Sequence, residues 1–252
     1  MSSRTTDLSQ RQAAVVAGLA YVAIIVLAGY ANFFVLEGMV EADDAAATFD
    51  NIDGSEAQFR AGVAAFVVVL IADVAVAWGL YVFFKRTSPE LSRLAAWLRV
   101  VYVGIAGAAA LHLIVAARLV DNSGYVSAIQ AGERQAQVML AIDSYLYGWS
   151  VGLVVFGVHL LVLGYVMVKS VDAPRLLGML VMLAGVGYVV SNLALVLLPS
   201  YEEYADAFLL LTVVLAVPGE FTLPVWLLWR GGKPKRPGRD RHREKVSTGS
   251  RA

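Results

Sequence analysis

The stretch Phe59–Phe84 decides the fold class. It reads FRAGVAAFVVVLIADVAVAWGLYVFF and holds two charged residues, Arg60 and Asp73, in 26 positions. Even a helix of 23 residues is roughly 35 Å long, which exceeds the bilayer hydrocarbon core of about 30 Å. Because lipid offers no hydrogen bonds to the backbone, such a segment must satisfy its own polar groups. We therefore predict a membrane-spanning helix.

Five further apolar runs have the same character, and all six contain 23 to 26 residues. The others are Ala13–Val35, Leu94–Leu119, Tyr145–Val168, Leu176–Leu198 and Asp206–Trp229. The chain is 59% hydrophobic and 16% charged, whereas a soluble domain is about 25% charged. It contains no Cys, which excludes a disulfide framework and thiolate chemistry. We predict an all-α polytopic membrane protein, a single six-transmembrane-helix bundle over residues 13–229.

The basic residues predict the orientation. With six spans, both termini lie on one side, and that side holds 16 of the 20 Lys and Arg residues. The opposite loops hold Arg60, Arg118 and Arg134 together with 12 of the 20 acids. Loops rich in Lys and Arg stay in the cytoplasm. Both termini are therefore predicted to be cytoplasmic, in a multi-pass protein of the cytoplasmic membrane.

The two ends of the chain flank the bundle. Residues 1–12 are predicted to be a short cytoplasmic segment. Residues 230–252 contain nine basic and two acidic residues together with Gly, Pro and Ser, a composition typical of disorder. We expect this tail to contact anionic lipid headgroups. Nucleic acid is not an expected partner, because the topology already requires a basic end.

Polar residues inside the spans predict a buried site. Ionisable groups are costly in lipid, so each one requires a partner or a function. Four of them, on four different spans, lie 5 to 11 residues from the cytoplasmic end, in one layer near the midplane: Asp73, Arg99, His159 and Glu220. A second polar set lies nearer the outer face: His112, Asp143, Ser150 and Asn192.

Helix geometry predicts the direction of His159. At about 100° per residue, Gly148, Gly152 and His159 lie within roughly 40° of each other. The spacing Gly148-x3-Gly152 is a small-residue motif that permits close helix approach. His159 should therefore face a neighbouring helix and not lipid.

The sixth span contains two prolines beside the carboxyl group of Glu220. Pro218 and Pro224 have no N–H, so each leaves a carbonyl group of the preceding turn without its helical partner. Free carbonyl groups next to an acid resemble the broken helices of transporters. We expect a strong kink or break in this span.

The outer loops predict three local features. Asp44–Thr48 is typical of a helix cap followed by a short surface helix. Ser55–Gln58 has the pattern of a capping box at the start of the second span. Residues 121–137 are predicted to form a short interfacial helix.

Three classes of function are compatible with these residues. The leading hypothesis is a small transporter or an ion- or proton-linked permease that binds an unidentified small molecule or ion, with His159 as a proton relay. An enzyme is less favoured; it would be an intramembrane hydrolase that uses Ser150 and His112. The third class is a structural or regulatory partner protein, in which Asp73–Arg99 and Glu220–His159 pairs only lock the bundle. We expect no metal site and no cofactor.

Part of the sequence resembles a known family. The stretch 152–165, GLVVFGVHLLVLGY, carries most of the likeness, together with PRLLG at 174–178 and AGVGY at 184–188. Asp73, Arg99 and Glu220 agree with it as well. The chain is similar, from about Ala13 to Trp229, to the bacterial and archaeal membrane-protein family called domain of unknown function 4386. This resemblance implies a multi-pass helical membrane protein and no established activity, and Pro218 departs from the family pattern.

Overall fold

The computed structural model describes residues 9–121 and 123–229, and all regular structure in these ranges is helical. Six helices are long and apolar enough to cross a membrane, which confirms the predicted fold class. The helices are α1 (Gln10–Met39), α2 (Ala45–Gly54), α3 (Glu56–Phe84), α4 (Pro89–Val120), α5 (Ala131–Lys169), α6 (Arg175–Leu197) and α7 (Ala205–Trp229). The basic tail predicted for 230–252 and most of the predicted N-terminal segment lie outside the described residues.

The six long helices form a closed ring. Each one packs on the next long helix in the chain, and α7 packs back on α1. At one end of the ring, Arg11 on α1 donates a hydrogen bond of 2.8 Å to the carbonyl oxygen of Leu227 on α7. At the same end, the Gln10 side chain donates to the carbonyl oxygen of Phe83 on α3. We call this end, which holds the start of α1 and the α3–α4 turn, the inner end.

Glycine residues permit a close approach between α5 and α6. A Cβ atom at Gly164 would lie 2.6 Å from the carbonyl oxygen of Gly178, and one at Gly185 would lie 2.7 Å from that of Gly157. The two backbones are thus in direct contact at two levels. Small residues permit such contact, which is how helices associate in lipid, where the hydrophobic effect does not drive them together.

Several of the apolar runs are shorter than the helices that contain them. The fourth run was predicted from Tyr145, whereas α5 begins at Ala131. The interfacial helix predicted for 121–137 is wrong, because residues 131–137 are the first turns of α5, and a short 3₁₀ turn at Gly124–Ala128 precedes it. Hydropathy marks the part of a helix that lies in lipid, and it does not register turns that continue into water.

The first outer loop contains the predicted surface helix. The Asp44 side chain caps α2 by accepting a hydrogen bond of 2.9 Å from the backbone N–H of Ala47. Thr48 joins α2 to the end of α1, since its hydroxyl group accepts from the backbone N–H of Glu41 at 2.9 Å. The predicted capping box at Ser55 is wrong. Ser55 does precede α3, but its side chain makes no capping hydrogen bond.

The break predicted in the sixth span is absent. Helix α7 runs without interruption from Ala205 to Trp229, with Pro218 and Pro224 inside it. Each proline leaves one carbonyl group of the preceding turn without a helical N–H partner, and this loss favours a break. The carbonyl groups that lose their N–H partners are those of Val214 and Glu220, whereas the hydroxyl group of Thr222 donates to a different one, the carbonyl oxygen of Pro218, at 2.5 Å. Proline is tolerated inside membrane helices because neighbouring helices and small backbone adjustments can satisfy the freed carbonyl groups.

Candidate functional site

A buried guanidinium group lies at the centre of the candidate site. Arg99 on α4 is 1% exposed, and Asp73 on α3 is 2% exposed. The Nε of Arg99 donates to Oδ1 of Asp73 at 2.9 Å, and Nη2 donates to the same oxygen. Burying two charges costs several kcal/mol per ion unless they are paired and hydrogen-bonded. Here the direct pair meets that condition.

Two further helices complete the coordination of Arg99. Its Nη1 donates to the hydroxyl oxygen of Tyr21 on α1 at 2.7 Å and lies 3.3 Å from Nε2 of His159 on α5. The guanidinium carbon is also 4.8 Å from the ring centre of Tyr21 and 5.1 Å from that of Phe156. Aromatic faces attract a cation at such distances, most strongly where water is excluded. Arg99 therefore binds residues of α1, α3 and α5.

The hydrogen bonds of His159 define its protonation. Its Nδ1 lies 2.8 Å from the carbonyl oxygen of Ala95, which can only accept, and its Nε2 faces Arg99, which can only donate. The arrangement requires a neutral ring with the proton on Nδ1. His159 is thus a hydrogen-bond acceptor for the arginine and not a second cation.

Small residues place His159 at this position. A Cβ at Gly148 would lie 2.9 Å from Cβ of Ala109, and one at Gly152 would lie 3.4 Å from the ring of Tyr102. Both neighbours belong to α4, so the Gly-x3-Gly motif is in contact with the helix that carries Arg99. The predicted direction of His159, towards a neighbouring helix, is confirmed.

Glu220 belongs to an adjacent part of the site. Its Oε2 accepts a hydrogen bond of 2.9 Å from the hydroxyl group of Tyr188 on α6. Gly219 permits this approach, because a Cβ there would lie 2.9 Å from the carbonyl oxygen of Leu180. Within the described residues, no Arg, Lys or His nitrogen lies within 4.0 Å of the Glu220 carboxylate. The hypothesis of a structural or regulatory partner protein predicts two pairs that lock the bundle. The Asp73–Arg99 pair is present, and the Glu220–His159 pair is absent from the described residues.

A small cavity lies between Glu220 and the arginine cluster. Its wall includes Glu220, Tyr21 and Phe156, and the latter two also contact Arg99. The space that the centre of a water molecule can reach is about 10 Å³, which is room for about one water. A second cavity of about 10 Å³ is lined by His159 and Ser92 and shares no lining residue with the first. Each of the two cavities at the polar site has space for about one water.

The outer polar set does not form a cluster. His112 lies on the exposed face of α4, Ser150 is buried and Asp143 is partly buried. The Asn192 amide donates to the carbonyl oxygen of Tyr188, one turn earlier on its own helix. Among the described residues, no hydrogen bond joins any two members of this set. The same ranges contain no three His, Asp or Glu side chains placed to hold a metal ion.

Tyr21, Tyr188 and Ser92 are site residues that the sequence analysis missed. An ionisable group inside a span stands out because it is costly in lipid, whereas a neutral hydroxyl group does not. Tyr188 does stand in the AGVGY segment that carries part of the family resemblance. Nothing in the first span singles out Tyr21 from its surroundings.

Comparison with known proteins identifies the family. The family described as "Domain of unknown function (DUF4386)" matches residues 16–231. The chain belongs to this family. An uncharacterized protein of Archaeoglobus fulgidus is 26% identical over 166 residues, which are 66% of this chain and 81% of that protein. No solved structure matches the chain. The resemblance inferred from the sequence is confirmed, and the family description carries no activity.

Proposed function

We propose that this DUF4386 protein is a proton-linked transporter, in which Glu220 is the group that takes up and releases protons. One observation carries the proposal. Glu220 is a carboxyl group inside a membrane-spanning helix, it has no cation within ion-pair distance in the described part of the chain, and it lies beside a cavity for about one water. Intramembrane acids in such positions are typical of proton relays.

Asp73 is less suited to this role than Glu220. Two nitrogen atoms of Arg99 donate to one of its carboxylate oxygens, and both residues are almost fully buried. Protonation of Asp73 would leave the cation unpaired in an apolar interior, which is costly. We therefore assign the Asp73–Arg99 pair as a fixed charge pair and Glu220 as the exchangeable group.

Tyr21 connects the two parts of the proposed site. Its hydroxyl oxygen accepts from Arg99, and the residue also lines the cavity that Glu220 borders. The hydroxyl proton of Tyr21 is therefore available to an acceptor other than Arg99. His159 is neutral and lines a different small cavity, which Glu220 does not border. This separation favours proton exchange at Glu220, with His159 in a supporting position.

Orientation and location are part of the proposal. The basic bias of the inner loops and the tail supports cytoplasmic termini. We propose the cytoplasmic membrane as the location, because a proton gradient across that membrane can drive transport. We further propose that the basic tail contacts anionic lipid headgroups.

Proton flux into liposomes tests the proposal. The purified protein is placed in vesicles that enclose a pH-sensitive dye, and a potassium gradient with valinomycin supplies the driving force. We expect wild type to change the internal pH faster than protein-free vesicles, and Glu220→Gln to lose this flux. The control is Glu203→Gln, the same change at an exposed acid near the start of α7.

Two results would contradict the proposal. A Glu220→Gln rate equal to wild type would remove Glu220 from the pathway. A wild-type rate equal to that of protein-free vesicles, with the gradient in either direction, would favour a structural or regulatory partner protein. The hydrolase hypothesis has no geometric support, because His112 is on the exposed face of α4 while Ser150 is buried.

A further inference from the structure

A groove lies on the outside of the ring between α3 and α4. It has a volume of about 430 Å³, within the range of pockets that hold small ligands. Its walls are Val74, Ala77, Trp78 and Tyr81 from α3 and Arg93, Ala96, Trp97 and Val100 from α4. The groove therefore lies in the half of the two helices next to the inner end, and it opens towards lipid.

Charge and aromatic residues divide the groove into two parts. Arg93 is in the second turn of α4, close to the inner end, and it is the charged residue of the groove wall. Trp78 is 45% exposed and Trp97 is 63% exposed. Tryptophan side chains at this level are typical of the membrane interface, where acyl chains meet headgroups. The groove thus has an apolar wall along most of its length and a cation, Arg93, at its water-facing end.

Arg93 has free hydrogen-bonding capacity for a phosphate. Its ion pair with Glu90 is 4.0 Å long, and both side chains are more than half exposed. An exposed pair of this length contributes about 0–1 kcal/mol. A guanidinium group presents five N–H donors in a planar fork that matches phosphate oxygens.

The floor of the groove is thin. Ala77, Tyr81 and Ala96 line both this groove and the inner cavity that contains His159 and Ser92. Two of these three side chains are single methyl groups. The buried hydroxyl group of Ser92 has no hydrogen-bond partner among the described residues. A molecule seated in the groove would therefore cover a thin wall between lipid and the cavity at His159.

We propose that this groove binds one anionic phospholipid, with an acyl chain along Trp78 and Trp97 and the phosphate group on Arg93. The proposal does not depend on proton exchange at Glu220. A lipid is the expected occupant because the apolar wall of the groove opens to the hydrocarbon layer and Arg93 lies at the headgroup level. A soluble anion would not use the apolar wall.

Native mass spectrometry of the full chain tests the proposal. The protein is extracted from vesicles with equal amounts of phosphatidylglycerol and phosphatidylcholine, and the retained lipids are counted by class. We expect wild type to retain phosphatidylglycerol preferentially. Arg93→Gln should reduce that preference about fivefold, the effect of about 1 kcal/mol per basic residue near a membrane surface. The matched control is Arg86→Gln, since Arg86 is exposed in the α3–α4 turn at the same end of the ring and does not line the groove.

A second variant tests the apolar part. Val100→Trp fills the groove from a lipid-facing position, so it should fold and lose the retained lipid of either class. Equal retention of the two lipids by wild type would overturn the proposal. It would also fail if Arg93→Gln and Arg86→Gln had the same effect, or if Val100→Trp retained phosphatidylglycerol as wild type does.

Discussion

Replacement of Asp73 by leucine should destabilise the protein by about 3–5 kcal/mol, because it leaves a buried guanidinium group without its counter-charge. Arg99 would keep its bonds to Tyr21 and His159, both of which are neutral. Neither can replace a carboxylate as the partner of a cation that is 1% exposed. Reversible unfolding in mixed micelles, followed by circular dichroism during SDS titration, measures the change.

A double variant and an exposed pair serve as controls for this prediction. Asp73→Leu with Arg99→Met removes both charges at once, and we expect most of the lost stability to return, since an apolar pair can replace a buried ion pair. Glu90→Gln breaks the exposed pair with Arg93 and should change the free energy of unfolding by about 1 kcal/mol or less. A loss in the double variant equal to the sum of the two single losses would contradict a coupled pair.

Replacement of Gly164 by alanine should also be strongly destabilising. The new Cβ would lie 2.6 Å from the carbonyl oxygen of Gly178 and 2.8 Å from the backbone nitrogen of Met182. Backbone atoms cannot rotate away as a side chain can, so α5 and α6 must separate. Overpacking of this kind costs about 1–3 kcal/mol. The same SDS titration measures the effect.

Gly104 provides the matched control for Gly164. It lies within α4, and a Cβ there would meet nothing within 4 Å. Alanine is the better helix former by about 1 kcal/mol, so Gly104→Ala should leave the stability unchanged or increase it. If Gly164→Ala were as stable as Gly104→Ala, the close contact between α5 and α6 would be disproved.

The sequence predicted the spans because lipid imposes a length and a composition on each one. It did not predict where α5 begins, because Glu133 and its neighbours form helical turns that hydropathy treats as a loop. It also predicted a break at Pro218 and Pro224, since the missing N–H groups are visible in the sequence. Whether the remaining helix bonds hold the segment together depends on packing against neighbouring helices, such as the close contact of Gly219 with Leu180 on α6, which the pattern does not show.

The candidate site was predictable in part for a similar reason. Depth along each span placed Asp73, Arg99 and His159 in one layer, and the structure brings these three into contact. Depth does not determine which neighbours in the layer touch. Glu220 therefore bonds to Tyr188, a neutral residue that no charge-based search would select.

Infrared difference spectroscopy of the protein in liposomes is the most direct test of proton exchange at Glu220. Protonated and ionised carboxyl groups absorb at different frequencies, so a change of pH across the vesicle membrane should produce a carboxyl band whose intensity follows proton uptake. We expect this band in wild type and in Glu203→Gln and its loss in Glu220→Gln. An unchanged band in Glu220→Gln would contradict proton exchange at Glu220.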